Sequence, residues 1–181
     1  MFFWFLWIIV ILQRLVELQV AKVNKKWIMA QGGYEVGQSH YKYMVLLHSL
    51  FFLVLLVEVQ LLDRSLAVWW YIPFSVFMLA QILRIWCLSS LGRFWNTRIM
   101  ILPGAQVIEK GPYRWIRHPN YVIVIAEVLF LPLIFQAFYT ALLFTILNAL
   151  MLSIRIPYEE KALREVTNYR DVFDHRPRLL P

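Results

Sequence analysis

Charge, glycine and cysteine are all scarce in this chain. Only 16% of its 181 residues are charged while 61% are hydrophobic, and the mean hydropathy is +0.61. Soluble domains run at about 25% charged, so the composition excludes a water-facing globular fold and predicts an all-α integral membrane protein. A single cysteine, Cys87, excludes an intramolecular disulfide and a cysteine-rich metal site. Cys87 reads as helix packing rather than a nucleophile, and no metal is expected. Six glycines, with no Gly-x-Gly among them, leave no glycine-rich phosphate cradle of the soluble nucleotide-binding kind. No Gly/Ser/Pro-rich linker and no repeat of fixed period divides the chain, so one domain over residues 1–181 is expected.

What the chain has is apolar sequence in long runs. A hydrocarbon core of about 30 Å needs roughly 20 residues of helix, and residues 2–20, 43–62 and 67–88 satisfy this. The opening Met1-Phe2-Phe3-Trp4-Phe5 lacks the positive flank of a secretory signal, so the first run is expected as a retained span. Residues 121–154 are too long for one span and short for two, with Pro132 and Phe135-Gln136-Ala137 near the middle. They predict a tight helical hairpin with spans over 121–135 and 138–154, making five crossings in all.

The cations test that count. Fifteen of the eighteen Lys and Arg fall in residues 21–42, in 92–118, or from Arg155 onward, and five crossings place all of these on one side. The opposite loops hold Arg64 alone. The positive-inside rule then predicts an outside N-terminus, a cytosolic C-terminus and a cytosolic region made of residues 92–120 and 155–181. The net charge of +7 is mainly a topology signal that also favours anionic headgroups or substrates. It does not argue for nucleic-acid binding.

Some charges lie inside the spans. Arg14 and Glu17, three apart, share a helix face, and Arg84 lies near the inner end of the third run. A charge at mid-membrane costs about 2.5 to 3.5 kcal/mol on insertion scales, so each needs a partner or water, whether it fixes helix packing or serves function. Glu127 lies in the first hairpin arm, opposite the expected position of Asn148. A Glu127–Asn148 hydrogen bond is one reading, and Glu127 lining a lipid-accessible reaction cavity is the other. His48 and Glu58 read as packing or rim residues.

Two polar stretches flank the hairpin: Gly111-Pro112-Tyr113-Arg114-Trp115-Ile116-Arg117-His118-Pro119-Asn120-Tyr121 before it and Arg155-Ile156-Pro157-Tyr158-Glu159-Glu160 after it. Ionisable groups beside hydrocarbon are a site hypothesis by default. Arg155 and Glu159 are four apart and share a helix face; as a helix-end ion pair alone they would be worth about 0.3 to 0.5 kcal/mol. Pro157 between them is expected to kink the helix. Tyr113, Trp115 and Tyr121 supply either ring faces for a ligand or an interfacial aromatic belt.

The Arg-His-Pro-x-Tyr sequence, with Gly-Pro-Tyr-Arg before it and Arg-x-x-x-Glu-Glu after the hairpin, resembles the isoprenylcysteine carboxyl methyltransferase family of membrane enzymes. Leu163, Tyr169 and the closing Arg178-Leu179-Leu180-Pro181 fit the same pattern. The resemblance covers roughly residues 91–181; the first three runs match in number and hydropathy only. It implies S-adenosylmethionine as methyl donor, bound between the Arg-His-Pro region and the C-terminal helices. It also implies a lipophilic acceptor reached from the bilayer. Under it, Gly111, Pro112, Tyr113, Arg117, His118, Pro119, Tyr121 and Glu160 are cofactor-binding candidates, and Arg155 and Glu159 are the catalytic pair. Glu127, Trp95 and Asn148 are candidates on the acceptor side.

The chemistry agrees with this assignment. Aromatic and carboxylate groups suit a sulfonium cation, and His118 or Arg117 suits the donor's carboxylate or ribose. Gly111 and Pro112 would shape a turn that lets backbone approach the cofactor. Methyl transfer is an in-line displacement that needs an exposed, aligned oxyanion, which Arg155 would hold while Glu159 orients Arg155 or contacts the donor. Ile123, where the family often has Gly, is expected to narrow the groove and favour a straight alkyl chain over a branched prenyl one. With Asn120-Tyr121-Val122-Ile123-Val124 and Phe94-Trp95-Asn96, the chain looks like a bacterial branch that methylates alkylpyrones or related phenolic lipids, which would place it in a bacterial cell membrane. The alternatives are isoprenylcysteine carboxyl methylation, phospholipid N-methylation, which needs a base for its amine, an NADPH-dependent sterol-type reductase, and a non-enzymatic membrane scaffold.

Overall fold

A computed structural model describes residues 1–179; Leu180 and Pro181, the last two of the closing pattern, lie outside the described residues. The chain runs α1 (Phe2–Ala30), β1 (Tyr34–Val36), α2 (Gln38–Leu61), α3 (Tyr71–Leu91), β2 (Ile99–Ile101), α4 (Pro119–Leu133), α5 (Phe138–Val166) and α6 (Tyr169–Phe173). Short 3-10 turns occupy Gly92–Phe94 and Gly111–Arg114. The only sheet among the described residues is antiparallel, with Tyr34 opposite Ile101 and Val36 opposite Ile99.

Helices α1, α2, α3 and α5 are long and apolar enough to cross a membrane. Their outer faces expose large apolar side chains such as Leu12, Leu46, Ile82 and Leu142, as hydrocarbon contact requires. The first helix continues ten residues past its predicted end because its inward stripe does not stop at the charges. Phe3, Leu6, Val10, Glu17, Ala21, Asn24 and Ile28 are buried at helical spacing, while Lys22, Lys25 and Lys26 leave that stripe. It ends at Ala30, and in the turn that follows a Cβ at Gly33 would lie 2.4 Å from Ile28 Cγ2 and 2.7 Å from the Ile101 carbonyl oxygen.

The predicted hairpin forms where Pro132 and Phe135-Gln136-Ala137 break the apolar run, with Gln136 at φ 56°. Its arms are unequal. At 15 residues α4 is about 22 Å long, short of the roughly 30 Å core, so it falls below the length of a full span. Helix α5 does not stop at Ile154 but continues through Pro157 to Val166. Proline withdraws one backbone donor, and the flanking Arg155 and Glu160 are held by bonds to other elements.

The bundle has two distinct ends. At one, Ala67 N–H donates to the Ile134 carbonyl, the Phe3 and Phe135 rings meet edge-on at 5.0 Å, and Glu58 accepts from the backbone N–H and hydroxyl of Thr140. At the other lie the β1–β2 pairing, the 3-10 turns and the chain after α5. Between them a buried polar cluster ties α1 to α3 and α4. Arg14 bonds Glu17 Oε2 at 2.7 Å and Glu127 Oε1 at 2.9 Å, and Arg84 bonds the same two carboxylates. Gln81 donates to Glu127 at 2.6 Å. The Arg14, Glu17 and Arg84 cluster read from sequence is present, but the expected Glu127–Asn148 pair is replaced by these bonds. The rotation of α4 turns Glu127 toward α1 and α3, away from α5.

Candidate active site

The turn at Gly111–Arg114 packs on α3. Gly111 has φ +56°, and a Cβ there would lie 2.1 Å from Ser90 Oγ and 2.8 Å from Trp86 Nε1. Its lack of a side chain is therefore required by contact with α3, which the sequence expectation of a turn against the cofactor did not include. Pro112 and Tyr113 are buried behind it. Burial drives the Tyr113 hydroxyl well above the usual tyrosine range, so it stays protonated. Trp115 is exposed and meets Trp86 edge-on at 5.7 Å, the behaviour of a belt residue. Pro119 opens α4, where its missing N–H costs nothing.

The Arg117-His118 segment is strapped by the chain beyond α6. The N–H groups of Arg117 and His118 donate to the carbonyls of Pro177 and Arg178, both at 3.0 Å. The Arg117 guanidinium donates to the carbonyls of Arg176 (2.6 Å) and Asp174 (2.8 Å). Most of its donors are thus engaged by this strap, which the sequence expectation of a cofactor carboxylate did not foresee. Glu160, 1% exposed, collects His118 Nε2 at 3.2 Å, Arg178 Nη2 at 2.9 Å and Arg117 Nη1 at 3.4 Å. In return the bond to Glu160 raises the Arg178 guanidinium above its ordinary value.

In the first turn of α4, Tyr121 stands between Arg155 and Glu159 of α5. Its hydroxyl donates to Glu159 Oε2 at 2.5 Å and accepts from Arg155 Nε at 2.8 Å. The expected direct helix-end ion pair is replaced by this bridge through α4. Arg155 Nη2 also donates to the Thr97 carbonyl at 2.7 Å, so two of its three nitrogens are fixed and Nη1 is left outside those bonds. His118 Nδ1 lies 4.0 Å from Glu159 Oε2.

These groups line one cavity of about 650 Å³, within the range that holds small ligands. Of the sequence candidates, Tyr113, Arg117, His118, Tyr121, Arg155, Glu159, Trp95 and Asn148 reach its wall. Gly111, Pro112, Pro119, Glu127 and Glu160 do not; they hold neighbours in place. Ile123 is fully buried in the cluster with Cys87, Tyr113 and Tyr169 and is absent from the wall, so it cannot narrow an acceptor groove. The sequence reading passed over Thr97, whose carbonyl fixes Arg155, and Asn120, the variable position of its motif. Asn120 Oδ1 and Trp95 Nε1 are buried without a protein partner, and the Tyr113 hydroxyl has only the weak Cys87 thiol beside it, all three from wall residues. An acceptor, a donor and a hydroxyl standing ready beside carboxylate and rings fit a ligand that carries a base, an amino acid and a cation.

The isoprenylcysteine carboxyl methyltransferase (ICMT) family matches residues 71–165, a stretch from α3 through Arg155 and Glu159. The chain belongs to that family. Membership in the ICMT family implies methyl transfer at a membrane, which the four membrane-length helices accommodate. The protein YpbQ of Bacillus subtilis, described as uncharacterized, is 47% identical over 163 residues, covering 90% of this chain and 97% of its own. An uncharacterized Haemophilus influenzae protein is 27% identical over 151 residues, covering 83% of this chain and 88% of its own. The ICMT-family match stops before α6, so the strap on Arg117 and His118 lies beyond it.

Proposed function

We propose that this ICMT-family protein catalyses S-adenosylmethionine-dependent methyl transfer to an oxyanion of a lipophilic acceptor. The preferred acceptor is an alkylpyrone enol or related phenolic lipid. The observation that carries this reading is the one cavity that joins Arg155, Glu159 and His118 to a mostly apolar shaft at Trp7, Phe52 and Leu56, whose Arg14, Glu17 and Arg84 are already paired within the buried cluster. A charged head over a long apolar shaft is the negative image of an ionised lipid.

When bound, S-adenosylmethionine supplies an electrophilic methyl group on a sulfonium. Asn120, Trp95, Tyr113 and His118 hold this donor through the unpartnered polar atoms and the imidazole. Glu159 attracts its cationic centre. Arg155 presents Nη1 to the acceptor oxyanion, and Tyr121 fixes Arg155 and Glu159 relative to each other. An enol on a pyrone is a vinylogous acid, so the acceptor arrives ionised and no general base is required. Residues 92–120 and those after Arg155 face the cytosol, where the charge bias puts them, within one domain.

The test is calorimetric binding of S-adenosylhomocysteine to the detergent-purified protein beside NADPH. Labelled methyl transfer to a pentadecyl pyrone and to a farnesylcysteine follows. Micromolar binding of S-adenosylhomocysteine with transfer to the pyrone is expected. NADPH binding alone would make the protein a reductase, and transfer to the farnesylcysteine alone would replace the acceptor.

A further inference from the structure

The cavity carries two polar steps that the methyl-transfer reading does not use: Arg14, Glu17 and Arg84, which are bonded into the buried cluster, and His48 with Ser49 on α2. Along α2 its wall is Tyr41, Met44, Val45, His48, Ser49, Phe52, Leu53 and Leu56, an apolar face interrupted at His48 and Ser49. Three contacts fix the antiparallel register of α2 and α5. Tyr41 and Arg155 both bond Thr97, the Phe51 and Phe144 rings meet at 5.5 Å, and Glu58 accepts from Thr140. Counting seven residues down α2 from Tyr41 and seven back along α5 from Arg155 brings His48 level with Asn148, which also lines the cavity. Seven residues of helix rise about 10 Å.

His48 is tuned for one kind of partner. Its Nδ1 lies 2.8 Å from the Met44 carbonyl, which can only accept, so Nδ1 carries the proton. In the neutral ring Nε2 is then an acceptor that calls for a hydroxyl or N–H. Buried polar sites of this kind discriminate by the hydrogen bond they leave unmade.

We infer that His48 and Asn148 form a subsite for a hydroxyl carried on the acceptor's chain about 10 Å from the oxygen held by Arg155. An acceptor with a hydroxyl on its tail is then preferred to the same acceptor with a plain hydrocarbon tail. This rests on the methyl-transfer reading for the placement of the reacting oxygen. Because it concerns the shaft, it stands or falls separately from donor binding.

The test uses octadecanoate, 10-hydroxyoctadecanoate and 2-hydroxyoctadecanoate as probes, titrated by calorimetry into the protein saturated with S-adenosylhomocysteine. One net hydrogen bond of about 1 kcal/mol corresponds to roughly fivefold in affinity, so the 10-hydroxy acid should bind about fivefold tighter than the other two. His48→Leu should erase that advantage and leave octadecanoate binding unchanged. Equal binding of the three probes to the wild type, which needs no variant, overturns the inference. So does an advantage that persists in His48→Leu, or no binding of any probe to protein that binds S-adenosylhomocysteine. Failure of S-adenosylhomocysteine to bind while the 10-hydroxy preference holds would overturn the methyl-transfer reading and leave this subsite standing.

Discussion

Two charged clusters lie in this molecule, and they differ in how their charges meet. Deep in the bundle, Arg14 and Arg84 bond Glu17 and Glu127 directly, two cations on two anions. At the head of the cavity, Arg155 reaches Glu159 only through the Tyr121 hydroxyl; both line the cavity, as Arg14, Glu17 and Arg84 do deeper in, so the difference lies in the pairing. Direct pairing cancels each field where it arises, so the deep cluster is spent on holding helices. An interposed hydroxyl keeps cation and anion apart, fixed but still able to act on a third party. The lesson is that burial of charge marks a site only where neutralisation is left incomplete.

The sharpest break in that comparison is Arg84→Ala. Leaving Glu17 and Glu127 with a buried, uncompensated charge should cost about 3 to 5 kcal/mol, read as a large fall in denaturation midpoint, with transfer per folded molecule near wild type. Arg155→Ala should do the opposite. Loss of one preorganised donor costs about 10² to 10³-fold in rate, with S-adenosylhomocysteine affinity and melting temperature held. Wild-type turnover in Arg155→Ala would remove Arg155 from the chemistry. Tyr121→Phe deletes only the bridge. Hydrogen bonds to charged groups are worth about 1.5 to 3 kcal/mol, so transfer should fall by roughly tenfold or more while the deep cluster is untouched; an undiminished rate would make the bridge incidental.

The smallest effect lies outside the bundle, at the β1–β2 clasp. There Glu35 takes Lys25 and Arg98, each at 2.5 Å. Burial pushes its carboxyl up, but the hydrogen bonds from Lys25 and Arg98 outweigh this and hold it below the ordinary value of 4.5. Its contribution is present above that value and is lost as pH falls through the lower folded one. Glu35→Gln should therefore lower the melting temperature modestly at neutral pH and lose that deficit in acid, which flattens the acid limb of the profile. An unchanged acid limb would show that the clasp does not depend on this carboxylate.

Hydropathy alone revealed three of the four long helices and the break at Gln136, because hydrocarbon imposes length and composition on each segment separately; that α5 runs on to Val166 while α4 falls short of a span was not legible, since charged residues continue α5 beyond the apolar run. The Arg14, Glu17 and Arg84 cluster was legible for the same reason: charge in a span demands partners. Glu127 was misread because its choice between Asn148 and Arg84 depends on the rotation of α4, which its neighbours set. Gly111 and Ile123 were assigned to the ligand because they sit in the motif, yet both pack on α3 or beside it. Tyr121 was identified as a ring, while its hydroxyl is what joins the catalytic candidates. The three-residue strands were invisible, being too short for any alternation to register.

Consider, finally, the shortness of α4. It is sandwiched between α3 and α5, and its far end abuts the loop before α3 at Ile134. About 22 Å of helix in a core of roughly 30 Å leaves its opening residues some 8 Å beneath the level of the headgroups. A lipid that reacts beside Tyr121 need not be hoisted into the aqueous phase. Under the proposed methyl transfer, the polar head of the cavity would instead meet the lipid at that depth, as at the bottom of a well.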